Sequence, residues 1–377
     1  MYGAEAVILA LCREFQLLDN TVEIAAFEHA HRPNDQLKEA AIQRGVRLHS
    51  IPCRGQLDRG TLRQLRNLLK SGAYDIIHSH GYKTDFYLYF AGTGLRSALV
   101  ATCHTWYDND LFEYFYGMID RLVLRRYDQV VSVSEDVTRR LKCAGVHPNR
   151  ITNIENGIDV SRFQNNEPRL REELGIAFDT LMVGTVGRLS PEKGIEHLLR
   201  AAGRVVAEFP CAHFAIVGDG PERQRLEDLS KDLNLTKFVT FTGRRSDIPE
   251  VFASLDILVQ PSLNEGLPIT LLEALASCCA VLATRVGAVP AVLEDGVDGL
   301  LVDPGEPDQL ACALLRLLRE PSERLRMGTA GGNKVKQNFS SSRMANDYVS
   351  VYERALQHKS AGSGVHSQRK TGKWRSL

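Results

Sequence analysis

Short apolar runs alternate with amphipathic stretches along most of the 377 residues. The runs at 22–27, 46–51, 74–78, 99–103 and 129–133 read as strands, and those at 22–27 and 99–103 are nearly continuous in apolar side chains, as strands covered on both faces are. Between them the segments 61–70 and 135–142 space their apolar residues at helical intervals. A second series repeats the style, with strands at 181–186, 213–217, 239–241, 257–260 and 280–283 and helices at 195–208, 222–233, 248–254 and 268–277. Alternation of strand and helix predicts an α/β chain with parallel sheets, right-handed crossovers and helices on both faces. Two such series predict two doubly wound, Rossmann-like domains.

The join falls near Asn156-Gly157-Ile158-Asp159 and the polar stretch 164–168. The expected domains are therefore 1–157 and 158–341, facing across a cleft, because these folds bind ligands beyond the carboxyl ends of their strands. A long amphipathic helix is expected over 342–357, packing back toward the first domain. Residues 358–377 read as a disordered basic tail with little apolar content before Trp374. The first N-terminal strand is expected to be missing, through truncation or a start at an internal methionine. A doubly wound domain opens with a strand before a glycine turn, yet here Tyr2-Gly3-Ala4-Glu5 stands at the start, followed by a helix at 6–15.

Composition changes this picture little. The chain is 44% hydrophobic and 24% charged with a formal charge of zero, so no whole-chain field favours nucleic acid. Eight scattered cysteines without a Cys-x-x-Cys pair suit reduced thiols in the cytoplasm. No apolar run approaches the roughly 18 residues needed to cross a bilayer, and the first residues lack the basic start of a signal peptide.

Chemistry concentrates in the second half. In Ser262-Leu-Asn-Glu265-Gly266-Leu267-Pro268-Ile-Thr-Leu-Leu-Glu273, two carboxylates lie eight positions apart around a permissive glycine and a helix-starting proline. Glu265 is expected on the loop after a buried strand, beside free helix amides that suit a phosphate or a polyhydroxylated ligand. Glu273, inside the helix, is placed to hydrogen-bond a diol such as a ribose. The segment from Gly184 through Gly187, Arg188 and Lys193 to Gly194 follows a strand and opens a helix. Its two cations can be aimed at one diphosphate, each worth roughly 4 kcal/mol of gross attraction at about 4 Å and a surface-like dielectric. Each feature alone is also what an ordinary solvated turn shows.

Other motifs are weaker. Gly218-Asp-Gly220-Pro-Glu-Arg223 has arginine where a dinucleotide fingerprint needs glycine. Asp108-Asn-Asp110 is a carboxylate pair without further ligand spacing, more in keeping with a turn than a metal site. His78 and His80 share a strand face, and His104 ends another strand at the cleft mouth. Lys83 and Asp85 are read on the loop after His80, within reach of a polar acceptor.

Together these residues resemble the retaining glycosyltransferases of GT-B fold, family 4 (glycosyl transferases group 1), over residues 2–356. The specific part is Gly187-Arg188-Leu-Ser-Pro-Glu-Lys193-Gly194, Val217-Gly-Asp-Gly-Pro221 and the run from Glu265 to Glu273. Asn156-Gly157-Ile158-Asp159 with Phe163 resembles the family's inter-domain motif, and Ser132-Val-Ser134-Glu135 resembles the segment before it. The resemblance implies that Arg188 and Lys193 bind the donor diphosphate and that Glu273 holds the ribose. It implies that Glu265 with the backbone of Gly266 and Leu267 positions the sugar, and that His104 lies near the reacting sugar. Gly3 matches the second glycine of a family turn, with Tyr2 in place of the first. The implied reaction retains anomeric configuration, requires no catalytic metal or other cofactor, and uses a nucleotide-diphosphate sugar, UDP- or GDP-linked.

The acceptor stays open among lipid-linked intermediates, glycans and small molecules, with His80, Lys83 and Asp85 as acceptor-side candidates. The helix at 61–70 carries Arg63, Arg66 and Lys70 beside leucines, which suits a peripheral place at the anionic inner face of the cytoplasmic membrane. Two rivals remain: a sugar-nucleotide epimerase of similar fold, and a truncated sugar-nucleotide-binding protein without activity.

Overall fold

Thirteen short strands organise the chain among the described residues, which are 3–28, 35–55, 57–104, 111–177, 179–266, 268–363 and 373–377 of the computed structural model. They are β1 (Thr21–Glu28), β2 (Arg47–Pro52), β3 (Ile76–His80), β4 (Ala98–Cys103), β5 (Gln129–Ser132) and β6 (Ile151–Asn153). Then follow β7 (Leu181–Val186), β8 (Ala212–Val217), β9 (Val239–Gly243), β10 (Ile257–Gln260), β11 (Ala280–Thr284), β12 (Leu300–Val302) and β13 (Arg375–Ser376). The chain divides into two compact units, one of Met1–Gly157 with Ser341–Leu377 and one of Ile158–Ser340.

The first unit holds a parallel seven-stranded sheet in the order β2-β1-β13-β3-β4-β5-β6. Every residue of β4 and β5 is buried, because helices cover both faces. Leu65, Leu69, Ile77, Tyr87, Leu124 and Leu141 pack in one apolar cluster over it, each such side chain contributing roughly 1.5–3 kcal/mol on burial.

No strand precedes the helix Gly3–Leu17 among the described residues, and the central position such a strand would take is filled by residues from the far end of the chain. β13 pairs with Thr21 and Val22 of β1 on one side and with Ile76 of β3 on the other. The amides of Asp75 and His78 donate to the carbonyls of Arg375 and Leu377, at 2.8 Å each. Trp374 stacks edge-on against Phe15 and Tyr352, at 4.8 and 4.9 Å between ring centres. The Arg375 guanidinium meets Glu23, which also accepts from Tyr74 at 2.7 Å and contacts His49 at 2.6 Å. Burial raises the Glu23 carboxyl, but bonds from Tyr74, His49 and Arg375, with the arginine's charge, outweigh it and hold the group at about 2. The disordered tail at 358–377 is thus corrected at both ends: the helix Ser341–Ser363 continues through its start and β13 ends it, while 364–372 lie outside the described residues.

Two further expectations change here. Gly3 begins the helix Gly3–Leu17 instead of shaping a turn, and Met1 and Tyr2 lie outside the described residues. Lys83 and Asp85 sit in the first turn of the helix Tyr82–Gly92, not on a loop.

The second unit is a parallel six-stranded sheet ordered β12-β11-β10-β7-β8-β9. The chain runs outward from β7 through β8 and β9, then returns to lay β10, β11 and β12 on the other side of β7. This reversal between β7 and β10 opens a crevice at their carboxyl ends, the place where open α/β sheets bind ligands.

Candidate active site

Two loops meet at that crevice. One leaves β7 through Gly187 and Arg188 to the single helical turn Pro191–Lys193, and the other leaves β10 through Pro261 and Ser262 to Glu265. The amide of Leu263 donates to the Glu192 carbonyl at 2.8 Å, tying the loops together. Gly194 makes their approach possible: at φ 60° a Cβ there would lie 2.2 Å from the Pro261 carbonyl oxygen. Gly187, Arg188, Lys193, Gln260, Ser262, Glu265 and Thr270 line the resulting pocket.

Glu265 is the anchor. One carboxylate oxygen, Oε1, accepts from Lys193 Nζ at 2.6 Å, Ser262 Oγ at 2.6 Å and Gln260 Nε2 at 2.8 Å. The carboxylate is 7% exposed and Lys193 is 29% exposed, so the lysine reaches both the buried acid and the pocket. Arg188 is exposed at the rim. Gln260 donates its amide to Glu265, and its buried Oε1 has no partner among the described residues, leaving it able to accept a bond inside the pocket. A third loop, after β11, braces Glu265 from behind. Thr284 Oγ1 donates to the Ser262 carbonyl at 2.5 Å and the Ala288 amide to the Gly266 carbonyl at 3.3 Å.

Glu273 lies on the helix Ile269–Ala276, half-buried. Burial pushes its carboxyl up to about 7, against the opposing charge of Arg162. Leu267 lies outside the described residues.

In the first unit the histidines gather at the carboxyl ends of β3 and β4. His80 Nδ1 is 3.3 Å from His104 Nε2, and their rings stack at 5.5 Å. His78 lies 4.3 Å from His80, ring to ring. Burial lowers all three imidazoles, His78 to about 3, so they are neutral near pH 7. Lys83 is engaged with the Gly55 carbonyl at 2.9 Å and lies over the Phe27 ring. Asp85 is 1% exposed and faces inward, where burial and then the negative Asp120 push its carboxyl far above the usual range. An acceptor-side role for Asp85 is therefore corrected: its carboxyl is sealed in the core. Arg66 is likewise spent, donating to the carbonyls of Phe90, Ala91 and Thr93. Asp108 and Asp110 lie outside the described residues, among which no group of three or more His, Cys, Asp or Glu is placed to hold a metal.

Two family models match consecutive halves of the chain: Glycosyltransferase Family 4 over residues 1–162 and Glycosyl transferases group 1 over residues 166–334. The chain belongs to the family 4 glycosyltransferases. Its fold is the two-domain GT-B fold, since 93% of the chain superposes on 96% of the Anabaena protein HepE, solved in complex with UDP, at a TM-score of 0.79 and 21% identity. A D-inositol 3-phosphate glycosyltransferase of Corynebacterium glutamicum is 28% identical over 78% of this chain and 75% of its own length. An Escherichia coli UDP-Gal:alpha-D-GlcNAc-diphosphoundecaprenol alpha-1,3-galactosyltransferase is 29% identical over 69% of this chain and 70% of its own. The protein is thus a glycosyltransferase that uses a nucleotide-sugar donor.

Three residues that serve this glycosyltransferase's pocket escape a reading of sequence: Gln260, Ser262 and Gly287, the last packed so close to Glu265 that an added Cβ would lie 1.8 Å from its carbonyl oxygen. Gln260 had a visible signal, a polar residue closing the apolar run Ile257-Leu-Val-Gln. Ser262 and Gly287 act by hydrogen bonding and close approach across the fold, which spacing along the chain does not reveal.

Proposed function

We propose that the enzyme transfers a hexosyl group from a UDP- or GDP-sugar to a hydroxyl acceptor with retention of anomeric configuration and without a metal, in the synthesis of lipid-linked glycan, polysaccharide or envelope material. One observation carries this reading: Lys193 stands between the buried Glu265 and the switch-point pocket, with Arg188 at the rim. Both cations take the charge that collects on the diphosphate as the glycosidic bond lengthens, the main electrostatic demand of the reaction. Glu265, fixed by three donors, orients the sugar, and Glu273 accepts from the ribose hydroxyls. The leaving phosphate itself takes the acceptor's proton on the face it departs from, which is how configuration is kept. His104 serves the sugar-acceptor side, with His80 beside it.

HepE has been solved in complex with UDP and with UDP-glucose, and the Escherichia coli relative is named for a UDP-sugar and a diphosphoundecaprenol-linked acceptor. These support a uridine nucleotide first and a lipid-linked acceptor at the cytoplasmic face of a membrane. A thermal-shift series with UDP, GDP and ADP is expected to favour UDP, followed by product mass with EDTA present. Addition of a hexose to the acceptor bears the reading out. An altered free sugar would mean an epimerase, and donor binding without product an inactive binder.

Donor affinity should also depend on pH. Glu273 accepts ribose hydroxyls as the carboxylate, and its ionisation is centred near 7. Affinity for UDP therefore rises from pH 6 to pH 8 and then levels, by up to about tenfold, and Glu273→Gln abolishes the rise. Calorimetric titration across that range checks it, and a flat profile for the native chain would remove Glu273 from the ribose site. The folded state binds this proton more tightly than the unfolded chain, so Glu273's contribution to stability falls as pH rises from about 4.5 through about 7.

A further inference from the structure

β13 does more than complete a sheet. Within the first unit a continuous line of contacts runs from Trp374 to His104. Trp374 packs edge-on against Tyr352 at 4.9 Å. The Tyr352 hydroxyl lies 2.8 Å from His78 Nδ1. The other nitrogen of His78 is 2.8 Å from Thr102 Oγ1, which in turn is 2.8 Å from the Tyr348 hydroxyl. Both ring nitrogens of His78 are therefore spoken for, and the ring cannot rotate without breaking a buried bond. His80 packs on His78, and its Nδ1 reaches His104 Nε2. β13 also holds His78 by its backbone, through the Leu377 carbonyl.

We infer that β13 positions His104 for the sugar-acceptor side of the reaction, with Trp374, Tyr352, His78 and His80 as positioning residues. The inference rests on the role proposed above for His104. Neutral His80 and His104 share one proton between the facing nitrogens, so one ring donates and the other accepts. Fixing His80 fixes which nitrogen of His104 presents its remaining donor or lone pair outward. A shift of about 1 Å in such a group is enough to cost roughly a hundredfold in rate. A strand that only filled the sheet would affect stability and leave the histidines as they are.

The test uses the full-length chain with nitrogen-15-labelled histidine. Trp374→Ala is expected to change the imidazole nitrogen signals of His78, His80 and His104 and to move their titrations up toward the ordinary range. It is expected to lower kcat roughly tenfold to a hundredfold with the donor KM unchanged, because the proposed donor residues Arg188, Lys193, Glu265 and Glu273 lie in the other unit. Trp374→Phe, which keeps an aromatic ring against Tyr352, should restore both readouts. Tyr352→Phe removes a single hydroxyl and decides the matter if Trp374→Ala does not fold: it should alter the same signals. Histidine signals and kcat unchanged in Tyr352→Phe, or in a folded but less stable Trp374→Ala, overturn the inference. The nitrogen signals need no turnover, so a chain that transfers no sugar yet shows the histidine changes would refute the proposed reaction and leave the positioning intact.

Discussion

Lys193→Ala lowers the rate of sugar transfer by about a hundredfold to a thousandfold and also lowers the melting temperature. The rate effect follows from geometry. The ammonium reaches the pocket from a fixed turn, held in place by its 2.6 Å bond to Glu265, so it costs no reorganisation when charge develops on the departing nucleotide. The stability effect has a separate origin. Without the lysine, Glu265 remains a 7% exposed carboxylate with Ser262 and Gln260 as its remaining side-chain donors among the described residues. Stranding a fully buried charge costs about 3–5 kcal/mol; Lys193 is 29% exposed, so solvent screening brings the expected loss nearer to about 1–2 kcal/mol. The two effects separate in a double variant. Lys193→Ala with Glu265→Gln should regain most of the stability, the orphaned charge being gone, and none of the activity. Initial rates of nucleotide release with matched thermal melts provide the check. Turnover equal to the native chain would take Lys193 out of the mechanism.

Gly287→Ala, far along the sequence from either cation, is expected to reduce turnover about a hundredfold. Gly287 has φ 53°, and a Cβ built there would lie 1.8 Å from the Glu265 carbonyl oxygen. No side-chain rotation relieves a clash with backbone. The strand-end loop carrying Glu265 has to retreat, and the three bonds to Oε1 are stretched with it. The left-handed backbone adds about 1 kcal/mol of strain for alanine. Kinetics should show kcat falling together with donor affinity, because the lysine follows the acid it is bonded to. Gly175→Ala serves as a control for backbone strain alone: φ there is 63° with nothing within 4 Å of the added carbon. Equal activity losses in the two variants would mean that strain, not displacement of Glu265, is responsible.

The parts of this molecule that were readable in sequence are those built from local pattern. The apolar runs at 257–260 and 280–283 are fully buried strands, and the loop residues Arg188, Lys193 and Glu265 do converge on one pocket. Glu273 lies on its helix but does not line that pocket among the described residues. What escaped is non-local. β13 pairs through two residues only and draws its hold from Trp374, Arg375 and the carbonyl of Leu377, so no alternation of apolar and polar positions announces it. Asp85 looked available because it follows a strand end, yet the helix Tyr82–Gly92 turns it inward against Asp120. The bracing of Glu265 by Gly287 spans strands that are neighbours only once the sheet has formed.

The most direct measurement is a crystal structure of the protein with UDP bound. The account predicts phosphate oxygens within hydrogen-bond distance of Lys193 Nζ and the Arg188 guanidinium, above the carboxyl ends of β7 and β10, with Glu265 Oε1 still bonded to the lysine or to Ser262. Nucleotide bound elsewhere in the molecule, with Lys193 and Arg188 untouched, would contradict it.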